Sequence, residues 1–182
     1  MKYFPFLLLL LVVSCSESDT VQEKKAVDSL QTVHATAQKI ELQYPKTWIH
    51  SFTSDSNLPN SVLAILSPLE NQEDSYQENL KVYHEVLPMR ISDSLYHQSA
   101  IAELRIKNPN LTIENRGTQR FGNQVYNEWY FQFENNTTAY CVHGYTCMRD
   151  SVGYNFAYTT VKSNEKKYAK EVEQILSSFK PL

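Results

Sequence analysis

From Lys39 onward, apolar and polar positions alternate in short runs bounded by turn residues. Ile40-Glu41-Leu42-Gln43-Tyr44 keeps period two and stops at Pro45, which predicts a strand entering a turn. Trp48–Phe52 and Ser61–Leu66 predict two more short strands, residues 67–77 read as loop, and Asn79–Val86 alternates again. Ser92 or Ser94 can cap a helix that runs to about Lys107 and ends at Asn108-Pro109. Its predicted apolar stripe is Leu95, Ala102 and Ile106, widened by Ile101 and Leu104. Four longer strands follow, at Leu111–Arg120, Val125–Phe133, Ala139–Arg149 and Tyr154–Val161. Turn chemistry separates them, at Phe121-Gly122-Asn123, Glu134-Asn135-Asn136 and Asp150-Ser151-Val152-Gly153, so antiparallel hairpins are predicted. A last helix, about Asn164 to Phe179, places Tyr168, Val172, Ile175, Leu176 and Phe179 on one buried stripe.

Residues 1–15, MKYFPFLLLLLVVSC, have a different pattern. Lys2 is a positive n-region, Phe4–Val13 an apolar run, and Val12-Val13-Ser14-Cys15 a processing site. As a helix, Tyr3–Val13 spans only about 17 Å at ~1.5 Å per residue, short of the ~30 Å of a bilayer core. The segment therefore reads as a removable export signal, residues 1–14. A small residue followed by Cys resembles the lipobox of bacterial lipoproteins, in which the cysteine sulfur takes a diacylglyceryl group and becomes the new N-terminus. An ordinary secretory signal with a coincidental Cys15 is the plainer alternative. With ~0.8 kcal/mol per buried CH₂, two or three acyl chains anchor stably where one does not. Membrane lipid is thus a predicted partner through Cys15. The following Ser16-Glu17-Ser18-Asp19 has no Asp directly after the cysteine, a pattern that resembles outer-membrane lipoproteins, and its acidity resembles a surface-export signal. Residues 15–37 read as a lipidated N-terminus and polar tether, partly helical near Glu23–Thr36, with His34 solvated.

Composition adds two constraints. Twelve Tyr, eight Phe and two Trp against four Gly predict a sheet-rich core. The net charge is −3, and loss of Lys2 with the signal leaves 16 basic against 20 acidic side chains, or −4. No Lys/Arg stripe offers a footprint for nucleic acid, and no basic face would hold anionic lipid. The economical reading is one α+β domain over residues 38–182, with helices covering an antiparallel sheet.

Candidate chemistry concentrates in Cys141-x-His143-x-x-x-Cys147, which shares one face of a continuous strand. Cys141 with His143 could form a nucleophile–base pair. A zinc site would want a fourth ligand, and the sequence supplies no obvious one. The bland reading is a pair of small buried thiols. A Cys141–Cys147 disulfide needs Cα atoms within ~7 Å, whereas six residues of straight strand span about 20 Å; only a hairpin at His143-Gly144-Tyr145 would bring them together. His50, His84 and His97 lie on separate elements without a carboxylate at ligand spacing and read as surface or half-buried positions. Glu and Asp crowd into loops and helix faces, which reads as solvation. There is no phosphate loop, serine elbow or His-Glu-x-x-His. No catalytic residue, metal ligand set or cofactor is therefore predicted. Asp19-Thr20-Val21, Asp28-Ser29-Leu30, Asp93-Ser94-Leu95 and Asp150-Ser151-Val152 resemble bacterial O-glycan acceptors.

The order of elements, Tyr44-Pro-Lys-Thr-Trp48 at the first turn, Asn79-Leu80-x-Val82, and Ile175-Leu-Ser-Ser-Phe-Lys180 at the end resemble the PsbP-like fold over residues 38–180. That superfamily includes a photosystem II extrinsic subunit, a Ran-binding import factor and many bacterial lipoproteins. The resemblance implies an α-β-α sandwich, a central antiparallel sheet flanked by helices, used as a non-enzymatic binding scaffold for an envelope protein or component. The alternatives are a small-molecule or ion-binding domain and, beyond it, an enzyme built on Cys141 and His143.

Overall fold

The computed structural model describes residues 29–54, 61–72, 74 and 76–182. In chain order these form strands β1 (Leu30–Ala35), β2 (Ile40–Pro45), β3 (Ile49–Ser54), β4 (Ser61–Leu66) and β5 (Asn79–Val86), then helix α1 (Asp93–Lys107). Strands β6 (Glu114–Phe121), β7 (Gln124–Asn135), β8 (Thr138–Arg149) and β9 (Val152–Val161) follow, then helix α2 (Ala169–Ser177) and the short strand β10 (Lys180–Pro181). Single 3-10 turns, Thr36–Gln38 and Lys162–Asn164, follow β1 and β9. The architecture is mixed α+β.

Two antiparallel sheets are built, one in the order β1-β2-β10 and one in the order β3-β4-β5-β9-β8-β7-β6. The hairpins of the second half turn at Gly122, Asn136 and Asp150, each with φ near +55° (56°, 55° and 54°). These are residue types that enter the left-handed region at low cost. On β7 to β9 the side chains alternate between two cores, as the period-two pattern requires. Tyr126, Tyr145, Cys147, Tyr154, Phe156 and Tyr158 face the smaller sheet and α2, meeting Ile40, Leu42 and Tyr44 of β2 and Val172, Ile175, Leu176 and Phe179. Trp129 and Val142 face the other way and pack on Ile101 of α1 and on Ile113. The terminal stripe Tyr168, Val172, Ile175, Leu176 and Phe179 is buried in full.

Two sequence expectations are corrected. Residues 30–35 are not tether: they form β1, which pairs along its whole length with β2 and buries Val33 and Ala35. The segment is polar and short, so its two inward side chains are a faint signal, and the ladder to β2 is what orders it. The stripe of α1 is also different. Ser92 caps the helix as expected, accepting from the Leu95 N–H at 3.2 Å. However, Leu95 and Ile106 are 50% and 80% exposed, while Tyr96, His97 and Ile101 are buried. The polar tips of Tyr96 and His97 hid the true packing face from a hydrophobicity count.

No helix among the described residues is long and apolar enough to cross a membrane.

Candidate functional site

On β8 the inward positions Cys141, His143, Tyr145 and Cys147 follow one another at every second residue. His143 lies opposite Tyr130 of β7 and Tyr158 of β9. One β7 residue further along the same face is Glu128, which is buried. Beyond β9 the chain turns at Lys162–Asn164 and brings Glu165 back over the end of this face. Both carboxylates close on the histidine: Nδ1 of His143 is 3.2 Å from Glu128 Oε1, and Nε2 is 3.0 Å from Glu165 Oε1.

Cations complete the cluster. Lys162 Nζ donates to Glu165 Oε2 at 2.6 Å and to the Tyr130 hydroxyl at 2.7 Å. The Arg116 guanidinium lies 3.4 Å from the centre of the Tyr130 ring, with Nη1 4.0 Å from Glu128 Oε1. Burial pushes the Glu165 carboxyl up, but hydrogen bonds and charge from Lys162 and His143 outweigh it and leave the group below its ordinary range. Hydrogen bonds to Glu165 and Tyr130 raise the Lys162 ammonium. Burial pushes the Cys141 thiol up to about 11, Glu165 adding to the rise and Lys162 and Arg116 opposing it. A sulfur atom of Cys141, a ring nitrogen of His143 and a carboxylate oxygen of Glu165 all lie within 4.8 Å of one another.

The sequence singled out Cys141, His143 and Cys147, and the structure separates them into two roles. Cys141 and His143 meet in this cluster. Cys147 sits further along β8 in the aromatic core, its thiol pushed up to about 12 by burial. Because β8 runs unbroken through Gly144, the hairpin needed for a disulfide is not formed, and both thiols are free and buried. The sequence alone reads Glu128 and Glu165 as solvated acids, and the structure instead joins them through His143. The available signal was alternation: Glu128 holds an inward position between Tyr126 and Tyr130. Glu78, also counted as solvated, is buried and accepts from Ser67 Oγ, Thr160 Oγ1 and Asn164 Nδ2 at 3.1, 3.4 and 3.1 Å. His97 is fully buried, against Thr146 at 2.9 Å, rather than at a surface or half-buried position. His50 meets the Tyr44 hydroxyl at 2.5 Å, and His34 pairs with Glu41 at 3.1 Å. Val12, Val13, Ser14 and Cys15 lie outside the described residues.

The opposite sheet face carries a run of rings. It starts at the buried Trp129 and continues through Phe131, Phe133, Tyr140 and Tyr76, with successive centroids 5.7, 6.1, 5.2 and 5.0 Å apart. The last four are only half-buried.

No protein-family sequence pattern matches the chain, and no curated protein is detectably similar in sequence. Solved structures are similar in shape. A Bacteroides thetaiotaomicron protein matches at TM-score 0.51 and 14% identity over 79% of this chain, which spans 45% of that protein. Cyanobacterial PsbP (CyanoP) from Synechocystis matches at TM-score 0.59 and 15% identity, covering 87% of this chain and 96% of its own. LpqN of Mycobacterium tuberculosis, involved in cell envelope biogenesis, matches at 0.57 and 14%, covering 83% and 89%. At these identities the likeness bears on fold alone: this chain has the PsbP-like fold.

Proposed function

We propose that the chain is exported, lipidated on Cys15, and serves in the cell envelope as a non-enzymatic scaffold whose α-β-α sandwich binds a protein or envelope component. The observation that carries the binding role is the half-buried row Phe131, Phe133, Tyr140 and Tyr76. Contiguous, partly exposed aromatic surface is what partner proteins cover, and aromatic residues dominate the energetics when they do. The anchor rests on Val12-Val13-Ser14-Cys15. The envelope setting is supported by LpqN, which has the same fold and takes part in envelope biogenesis.

An enzyme built on Cys141 draws no support from the site. A catalytic thiol needs a lowered pKa and access, whereas this one is fully buried and pushed upward.

Two measurements test the proposal. Cys15→Ala should move the protein from the membrane to the soluble fraction of the native host while leaving its circular dichroism unchanged; membrane retention would overturn the anchor. Crosslinking in intact cells should yield a discrete adduct that Phe133→Ala with Tyr140→Ala removes. An adduct unaffected by those changes would place binding elsewhere on the domain.

A further inference from the structure

We propose that Cys141, His143 and Glu165 form a binding site for a zinc-class divalent cation, with Glu128 as the carboxylate that orients the histidine. The inference stands independently of the anchor and of the aromatic surface.

The geometry around His143 motivates it. Both ring nitrogens face carboxylate oxygens, at 3.2 and 3.0 Å, and the buried Cys141 sulfur lies within 4.8 Å of a ring nitrogen and of a Glu165 oxygen. A cation held between Nε2, Glu165 Oε1 and the Cys141 sulfur takes the place of a proton on Nε2. Nδ1–H then donates to Glu128, the carboxylate–histidine–metal relay that fixes the tautomer of metal-bound histidines. Lys162 holds only the other oxygen, Oε2, of Glu165, so Oε1 keeps its position toward the histidine.

The donor set selects the ion. One sulfur, one imidazole nitrogen and one carboxylate oxygen form a borderline-soft set that suits zinc and its neighbours, whereas calcium and magnesium call for six or more oxygen donors. Three protein ligands leave a fourth tetrahedral position for water or a ligand atom. With bonds of about 2.0–2.3 Å, tetrahedral ligand atoms lie about 3.3–3.8 Å apart. The three atoms are already within 4.8 Å, so side-chain adjustments of about 1 Å close the site. The Cys141 proton, and any proton carried on His143 Nε2, leave to solvent as the thiolate–metal and imidazole–metal bonds form. The Cys141 side chain is fully buried, while Glu165 and its partner Lys162 are partly exposed.

Cobalt(II) titration of the full chain in a Cys15→Ala background, in detergent under reducing conditions, tests the site. A thiolate-to-cobalt charge-transfer band should appear together with visible ligand-field bands of four-coordinate intensity, and zinc should displace both. Cys147→Ser should retain the band and Cys141→Ser should lose it. Glu128→Gln should keep the band with affinity about 10–100-fold weaker, with circular dichroism confirming its fold. No charge-transfer band at millimolar cobalt, or only weak octahedral-type bands, overturns the proposal, and so does a band that follows Cys147.

Discussion

Nδ1 of His143 lies 3.2 Å from Oε1 of Glu128, a carboxylate whose side chain is only 8% exposed. Glu165 meets the other ring nitrogen at 3.0 Å but is 24% exposed and shares its charge with Lys162. The two carboxylates should therefore differ in their weight for stability. Removing the buried acceptor strands a ring N–H, while Arg116 keeps its closer partner Glu114 at 3.2 Å, so Glu128→Ala should destabilise by about 2–3 kcal/mol. Glu165→Ala removes a partly solvated pair and should cost less than about 1 kcal/mol. Urea unfolding with a chelator present, read at constant slope, measures both. Equal losses would show that burial does not set the hierarchy in this cluster.

Gly144 lets β8 pass beneath Trp129. A Cβ built there would fall 1.8 Å from the indole, far inside van der Waals contact. Because Trp129 is buried under α1 and cannot swing into solvent, Gly144→Ala should destabilise by about 3 kcal/mol through overpacking. Trimming the ring should return part of that loss, so Gly144→Ala with Trp129→Leu should be less destabilised than the two single changes added together. A double-mutant cycle in urea checks it; strict additivity would mean that the ring does not set the need for glycine.

That glycine also shows what the sequence can and cannot convey about this fold. Period-two alternation located β5 and the strands β7 to β9 to within a few residues, because one face of each is buried and the pattern records it. His143-Gly144-Tyr145 could be read as strand or as hairpin, since glycine serves both. What decides it is the Trp129 ring on a neighbouring strand, a partner that no local window contains. Glu128 and Glu165 were invisible as a pair for the same reason, lying 37 positions apart and joined only through His143. β1 escaped notice because only Val33 and Ala35 of its six residues point fully inward. α1 was found, but its buried face was mistaken, because Tyr96 and His97 bury rings that a polarity scale scores as surface.

The free thiols on β8 give a third test. Cys141 and Cys147 are buried, and burial raises their thiols to about 11 and about 12. Both deprotonation and access are thus denied to a water-soluble disulfide reagent. In a Cys15→Ala background the native, metal-free protein should react far more slowly than a free thiol at pH 8, and two thiols should titrate promptly after denaturation. Fewer than two in the denatured, unreduced protein would reveal a bond that β8 as a continuous strand forbids. Fast reaction of one in the native state would show that this part of β8 opens readily.

His97 supplies a pH dependence whose sign follows from its surroundings. It is 3% exposed on α1, its Nδ1 2.9 Å from the Thr146 hydroxyl. Burial lowers its pKa from 6.5, an effect that Asn115 partly offsets. The unfolded chain therefore binds this proton at higher pH than the folded one does. The contribution to stability is complete above about pH 6.5 and is lost as pH falls through the depressed folded value. His84, lowered by burial and by the charge of Lys39, acts in the same direction. Wild-type protein should lose stability between pH 7.5 and 5, before most carboxylates titrate. His97→Gln keeps a group able to reach Thr146 but cannot take up the proton. It should start less stable at pH 7.5 yet fall less steeply, with the His84 share of the slope remaining. Urea midpoints at a series of pH values make the comparison. A variant whose stability falls in parallel with the wild type would show that His97 is protonated in the folded state as easily as in the unfolded chain.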